Sequence, residues 1–145
     1  MMSPLTIRWR LLIVLAALLL PGCSGEEPHL TESTSDFRAV ALEFTRLLAA
    51  RDYPGAHAMT TRAYQSAMSV ERLQEAFEAI VPTDWGPIGP VEMGETLASW
   101  PGKQPSDLGW VYVSIGGGVY SEAVIVIVTR EDGEVRIREV EFGRP

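Results

Sequence analysis

The chain has 145 residues, of which 46% are hydrophobic, and its formal net charge is −7. The acidic balance argues against a nucleic-acid partner, because a negative surface repels phosphate backbones. One cysteine excludes an internal disulfide and a cysteine-based metal site, and two histidines argue against a zinc site, so we expect neither a metal nor a bound cofactor.

The first 22 residues have the parts of a secretory leader. Arg8 and Arg10 form a positive segment, and residues 11–20 are an apolar run too short to span a bilayer. The run ends in the sequence Leu-Pro-Gly-Cys at 20–23, which resembles the lipobox of bacterial lipoproteins: an aliphatic residue three places before a cysteine, and a small residue directly before it. The resemblance implies cleavage between Gly22 and Cys23 and a lipid on the Cys23 sulfur.

A lipid on Cys23 implies that the mature chain meets the membrane through this anchor. The sequence has no polybasic patch that would hold anionic lipid. The leader contains two arginines and no acidic residue, so its loss changes the net charge of the chain from −7 to −9. The resemblance to bacterial lipoproteins further implies a location in the cell envelope, on the periplasmic face of the outer membrane if the host has one, because Ser24 rather than an aspartate follows the cysteine. Two alternatives stay open: an ordinary signal peptide with an unmodified thiol, and an uncleaved N-terminal anchor helix.

The mature chain is expected to contain a tether and one domain. Residues 23–35 are rich in Ser, Thr, Glu and Pro and show no apolar period, which predicts a flexible, lipid-anchored tether. Residues 36–145 are expected to form the domain, which is long enough to bury a single core.

Helices are predicted in the first half of this domain. Apolar residues at 37–48 recur at helical spacing, with Ser35 as the expected N-cap. Pro54 suits the first turn of a second, short helix, and the chain around Tyr64 is expected to be helical too. Ser69 is expected to cap a further helix that ends before the next proline.

Strands are predicted in the second half, at 91–98, 110–115, 122–129 and 135–142. The third is apolar on both faces, which predicts an interior position in the sheet. Glycines 116–118 are expected to form the turn before it, and Asp132-Gly133 the hairpin turn after it, with the acidic residues around that turn at a solvated tip. In the last strand the apolar residues stand at odd positions up to Ile137 and at even positions after it, at Val140 and Phe142. One extra residue would keep all of them on one face, which predicts a β-bulge near Arg138 and Glu139.

Helices followed by an antiparallel meander predict an α+β fold, with N-terminal helices packed on a curved antiparallel sheet. The opening helix, the break at 50–54, the helix start at Ser69 and the closing hairpin resemble the nuclear transport factor 2-like superfamily, the cystatin-like cone. The resemblance covers roughly residues 35–142. It implies a pocket between the concave sheet and the helices, which some members use as isomerases, dehydratases or cyclases, and it implies dimers through the sheet face in others.

Six residues are candidates for lining such a pocket: His57, Tyr53, Tyr64, Trp85, Trp110 and Tyr112. His57 is the best candidate base and Asp84 a weaker candidate acid, while Trp100 extends the aromatic set. Each also has a structural interpretation, since tyrosines and tryptophans commonly fix packing with their polar atom at the surface. The apolar stripes of the helices contain no ionisable residue, so no catalytic residue is predicted.

The function expected from these patterns is that of a membrane-anchored envelope lipoprotein without catalysis. Its domain would bind a small apolar ligand or dock another envelope protein. The alternatives are an isomerase- or cyclase-type enzyme and a structural homodimer through the sheet face. A deep pocket with a buried acid or base would favour the enzyme, and an exposed apolar patch or open sheet edge would favour docking.

Overall fold

The computed structural model describes residues 30–143, with side chains from Phe37 onward, as helices followed by one antiparallel sheet. The helices are α1 (Leu30–Ala49), α2 (Tyr53–Ala58), α3 (Arg62–Ala67) and α4 (Val70–Ile80), and a 3-10 turn spans Thr83–Trp85. The strands are β1 (Ile88–Leu97), β2 (Asp107–Gly117), β3 (Ser121–Glu131) and β4 (Glu134–Phe142), in the order β1-β2-β3-β4. The predicted α+β class with a curved sheet is confirmed. None of the helices within 30–143 is both long and apolar enough to cross a membrane.

The predictions for the N-terminus fall mostly outside these residues. Gly22, Cys23 and the tether up to residue 29 are not among the described residues. Helix α1 begins at Leu30, so Ser35 lies inside it and the prediction that Ser35 is the N-cap is wrong. Residues 30–36 contain neither glycine nor proline, the two residues that most strongly stop a helix, so nothing in the sequence ends the helix there.

Side-chain caps start the three shorter helices. Ser69 accepts a hydrogen bond from the N–H of Arg72 at 3.3 Å, which confirms the predicted start of α4. Asp52 and Thr61 cap α2 and α3 in the same way. These caps fix where the chain turns between helices, and so bring α2 and α4 into contact.

One face of the sheet is covered by the helices, and the core lies between the two layers. The largest fully buried side chains of the helices are Phe44, Leu48, Leu73 and Phe77, and from the sheet the same layer receives Val111, Val113, Val124, Val126, Val128 and Ile137. The stripe predicted for the first helix is therefore the buried face of α1. Packed side chains fill the region where the resemblance implied a pocket.

The strands agree with the predictions except at their ends. Strand β3 lies between β2 and β4, as predicted from its two apolar faces. Strand β1 begins at Ile88, three residues before the predicted start at residue 91. Gly89 lets this part of β1 come close to β2, since a Cβ there would lie 2.7 Å from the carbonyl oxygen of Gly116. The predicted glycine turn is wrong in part, since Gly116 is paired with Ser121 and only Gly118 of the triplet lies beyond β2.

The predicted bulge in β4 is present. Ile127 pairs with Glu139, and its neighbour Val128 pairs with Ile137, so Arg138 is the extra residue of β4. The bulge lets Ile137 and Val140 both face the helices although their parity differs. The bulge was predicted from this change of parity, and the structure confirms both the bulge and the reason for it.

The outer edge of β4 is occupied near its middle. Thr60 forms a parallel bridge with Ile137. The N–H of Ile137 donates to the carbonyl of Met59 at 3.0 Å, and the N–H of Thr61 donates to the carbonyl of Ile137 at 2.8 Å. The segment between α2 and α3 therefore covers a part of this edge that would otherwise be open to strand addition.

A candidate binding groove on the outer face of the sheet

The face of the sheet turned away from the helices, here called the outer face, carries two rows of side chains in register. In the first row, Trp110 is paired with Leu97 on β1 and with Ile127 on β3, and Ile127 is paired with Glu139 on β4. The second row contains Tyr112, Ile125 and Glu141. In these two rows the outer face is aromatic or aliphatic on β2 and β3, carries Leu97 on β1, and is acidic on β4.

The loop at 98–106 lies against one end of this face. The hydroxyl of Thr129 donates to the carbonyl of Ser106 at 2.9 Å, and the N–H of Arg130 donates to the same oxygen at 3.1 Å. Between loop and sheet lies a groove of about 390 Å³. It is lined by Leu97, Trp100, Pro101, Gly102, Trp110, Ile127, Arg138, Glu139 and Glu141. Its volume is at the lower end of the range found for small-molecule sites.

A buried ion pair holds the loop and the bulge together beside the groove. Arg138 donates from Nε to Asp107 Oδ1 at 2.8 Å and from Nη2 to Asp107 Oδ2 at 2.9 Å. Asp107 also accepts the N–H of Gln104 at 2.7 Å, and its side chain has no exposed surface. The bonds to Asp107 raise the pKa of the Arg138 guanidinium above its ordinary value. The charge of Arg138 is thus neutralised locally and is not available to an anionic ligand.

Trp100 enters the groove from the loop. The Nζ of Lys103 lies 5.4 Å from the centre of the Trp100 ring, within cation–π distance, and donates to the carbonyl of Ala98 at 2.6 Å. The indole N–H of Trp100 is buried and has no hydrogen-bond partner among the described residues. An unpaired buried donor carries a desolvation cost, which the packing of the loop must offset.

A second, polar cleft of about 590 Å³ lies between the α2–α3 region and the β3–β4 hairpin. Its lining includes His57, the predicted candidate base, together with Arg62, Gln65, Glu131, Asp132, Glu134 and Arg136. The Nε2 of His57 lies 2.7 Å from the carbonyl oxygen of Met68. Because a carbonyl can only accept, Nε2 carries the hydrogen, and His57 ties α2 to the start of α4.

The charges of this polar cleft are largely paired with one another. Arg62 binds Asp132, and Arg136 binds Glu134 and donates to the carbonyl of Ala58 at 2.7 Å. The acidic residues lie at the tip of the β3–β4 hairpin, as predicted. Histidine, cysteine and carboxylate side chains do not gather into a group of three that could hold a metal anywhere in the described chain.

Two of the three candidate tyrosines, Tyr53 and Tyr64, have different surroundings. The hydroxyl of Tyr53 donates to Glu78 at 2.9 Å and accepts from Arg51 at 3.0 Å, which fixes α2 against α4. Burial is the main cause that raises the pKa of Tyr53 above its ordinary value. Tyr64 has a buried hydroxyl with no partner among the described residues, and burial raises its pKa to about 12. Tyr53 is a packing residue, and neither tyrosine lines a described groove.

Trp85 and Asp84 lie in the 3-10 turn, far from the groove along β2. Trp85 is 42% exposed, and its ring centre lies 5.3 Å from that of Tyr120, which follows the β2–β3 turn. The six candidate residues are therefore not brought together. Trp110 and Tyr112 share the outer face, and Trp110 lines the groove with Trp100, while the other four candidates lie elsewhere.

Sequence reasoning missed the aliphatic and charged members of the groove. Leu97 and Ile127 belong to strands that were predicted, so their membership required only the register. The parity change in β4 signalled that Glu139 would face away from the core. No local signal links Asp107 with Arg138, because they are 31 residues apart and meet only through the sheet.

Comparison with known proteins adds no relationship. No protein-family model matches the chain, and neither a curated protein nor a solved structure matches it.

Proposed function

We propose that this chain is an envelope lipoprotein whose domain binds a small, largely apolar ligand in the groove on the outer face. The groove carries the proposal, since it combines Leu97, Trp100, Trp110 and Ile127 with a few charged groups at its border. Such a mixture of apolar lining and few polar groups is typical of ligand sites. The lipobox-like segment supports the anchor, and the order of helices and strands supports assignment to the nuclear transport factor 2-like superfamily.

Catalysis is less well supported by the described residues. An enzyme of the isomerase or cyclase type requires a buried acid or base facing a cavity. Asp107 is the buried carboxylate of the described chain, and both of its oxygens are bonded to Arg138. The layer between helices and sheet is filled by aliphatic and aromatic side chains.

The ligand proposal is tested by native mass spectrometry of the full-length chain released from detergent micelles. We expect an added mass that denaturation removes, and we expect Trp110→Ala to lose it because this change removes the floor of the groove. Trp85→Ala is the matched control, since Trp85 lies outside the groove. Absence of any added mass, or its equal retention in both variants, would contradict the proposal.

The anchor is tested separately with Cys23→Ser in a bacterial host. We expect the substituted chain to keep its leader, to lack lipid and to run at a different size on a gel. An unchanged size and unchanged membrane fractionation would contradict lipidation at Cys23.

Docking of another envelope protein is a second candidate, favoured by apolar side chains at the β2–β3 end. Val119 is 85% exposed and lies next to Tyr120, which contacts the exposed ring of Trp85. Photo-crosslinking from position 119 in cells would test it, with position 75 on α4 as the control. A homodimer through the outer face is less favoured, because Glu139 and Glu141 of two copies would be brought together.

A further inference from the structure

We propose that the ligand of the outer-face groove is a cation: a small molecule with an apolar or aromatic body that carries one ammonium group. This inference rests on the proposed function and names the ligand class. It follows from the charges around the groove and from the faces of its tryptophans.

The first argument is the balance of available charge. Two carboxylates, Glu139 and Glu141, line the groove on the β4 side, and one guanidinium, Arg138, lies between loop and sheet. The guanidinium is held by two bonds to the buried Asp107 and one bond to Glu139 at 3.0 Å. Counting Asp107 and the nearby Lys103, the groove and its surroundings hold three carboxylates and two cations. The excess charge is negative.

The second argument concerns Glu141. Glu141 is exposed and lies in the row of Ile125 and Tyr112, and its carboxylate forms no hydrogen bond or ion pair with another described residue. A carboxylate that no described side chain pairs, at the border of an apolar groove, attracts a cation and repels an anion. An ammonium group at this border would leave the apolar body of the ligand against Ile127 and Trp110.

The third argument comes from the tryptophans. The face of an indole ring is negative and attracts cations within about 6 Å of the ring centre. Lys103, which does not line the groove, already occupies such a position over Trp100 at 5.4 Å, so one of the two tryptophans of the groove has a cation on its face. Trp110 is half-buried and has no described cation on its ring. Its indole therefore offers a second aromatic surface in the same groove.

The test compares three ligands of nearly equal size: phenethylammonium, phenethyl alcohol and hydrocinnamate. Each is titrated into the full-length chain in lipid nanodiscs, with empty nanodiscs correcting for partition into lipid. The indole N–H signals of nitrogen-labelled tryptophan are followed by NMR. We expect phenethylammonium to shift Trp100 and Trp110 but not Trp85, and to bind about tenfold more tightly than the alcohol, from one aromatic contact and one carboxylate contact combined.

Two substitutions separate the contributions. Glu141→Gln should weaken the cation about threefold and leave the alcohol unchanged, while Glu75→Gln on α4 removes the same charge outside the groove and should change neither. Trp110→Leu keeps an apolar side chain but removes the aromatic face, and should reduce the preference for the cation. Thermal unfolding of each variant shows that it is folded.

The possible outcomes separate the two proposals. If the alcohol binds at Trp100 and Trp110 as tightly as the ammonium compound, the groove is an apolar site and the cation inference is overturned while the proposed function stands. If the carboxylate compound binds most tightly, Arg138 recognises the ligand and the inference is again overturned. If none of the three shifts these two signals, both the inference and the ligand-binding function fail.

Discussion

Replacing Arg138 with methionine removes the partner of a carboxylate that has no exposed surface. Breaking a buried ion pair from one side costs about 3–5 kcal/mol, because the remaining charge is buried without compensation. Two features place the cost of Arg138→Met near the lower end of this range: the Arg138 side chain is 19% exposed, and the N–H of Gln104 still donates to Asp107 in the variant. We therefore expect a loss of about 3 kcal/mol, which for a domain of this size lowers Tm by roughly 10 °C.

The measurement is urea unfolding of the full-length chain followed by circular dichroism, with the free energy extrapolated at constant slope. Arg62→Met is the control, because Arg62 forms an ion pair with an exposed partner and its side chain is 80% exposed; it should cost less than about 0.5 kcal/mol. The double variant Asp107→Asn/Arg138→Met should be more stable than Arg138→Met alone, since no charge is then buried. A cost for Arg138→Met as small as that of the control would refute the reasoning.

Three further predictions concern local packing and capping. Gly109→Ala should destabilise the fold by about 1–3 kcal/mol in thermal unfolding, because its Cβ would overlap the Phe37 ring. Gly118→Ala is the control: a Cβ there meets nothing within 4 Å, so the change should be neutral or slightly stabilising. Equal effects of the two substitutions would contradict this account. Burial raises the pKa of Tyr64 to about 12 from 10.0, so the folded chain holds the phenolic proton more tightly than the unfolded chain does. The free energy of unfolding should therefore be unaffected below about pH 10 and should fall as the pH rises toward about 12. Because Tyr64 is partly exposed, that fall should be on the order of 1 kcal/mol, and Tyr64→Phe should remove it; a fall of the same size in the variant would assign it to another group. Ser69→Ala should cost about 1 kcal/mol through loss of the α4 cap, measured by urea unfolding, and restoration by Ser69→Asp but not by Ser69→Val is the check.

Much of the fold follows from local signals in the sequence. The period of the apolar residues in α1 is the period of its buried face, and the two apolar faces of β3 account for its interior position. The parity change after Ile137 has one economical explanation, a single extra residue, and the bulge at Arg138 is that residue. The start of α1 was missed because the six residues before Asp36 lack apolar periodicity while containing nothing that ends a helix.

The groove depends on register and loop placement, which leave weaker signals. Trp110 was a candidate because it is a large aromatic residue in a strand, but its neighbours were not identifiable without knowing that Leu97 and Ile127 flank it. Trp100 lies in a loop whose position depends on a contact with Thr129 and, through Asp107, on Arg138, both far away in the chain. The expectation of a pocket on the helix side came from a resemblance, and the packed core shows that on this chain the helix side of the sheet is filled.

The extra residue at Arg138 also limits how the length of this chain can change. A deletion of Arg138 would restore simple alternation from Val135 onward and leave Val140 and Phe142 toward the helices, whereas one further residue inserted there would turn them toward the outer face. The deletion would also remove the partner of Asp107. An insertion or deletion in the hairpin is therefore tolerated only at the Asp132-Gly133 tip, where it changes the turn without exchanging the two faces of the strand. Libraries that vary chain length can be confined to that tip and to the β2–β3 turn.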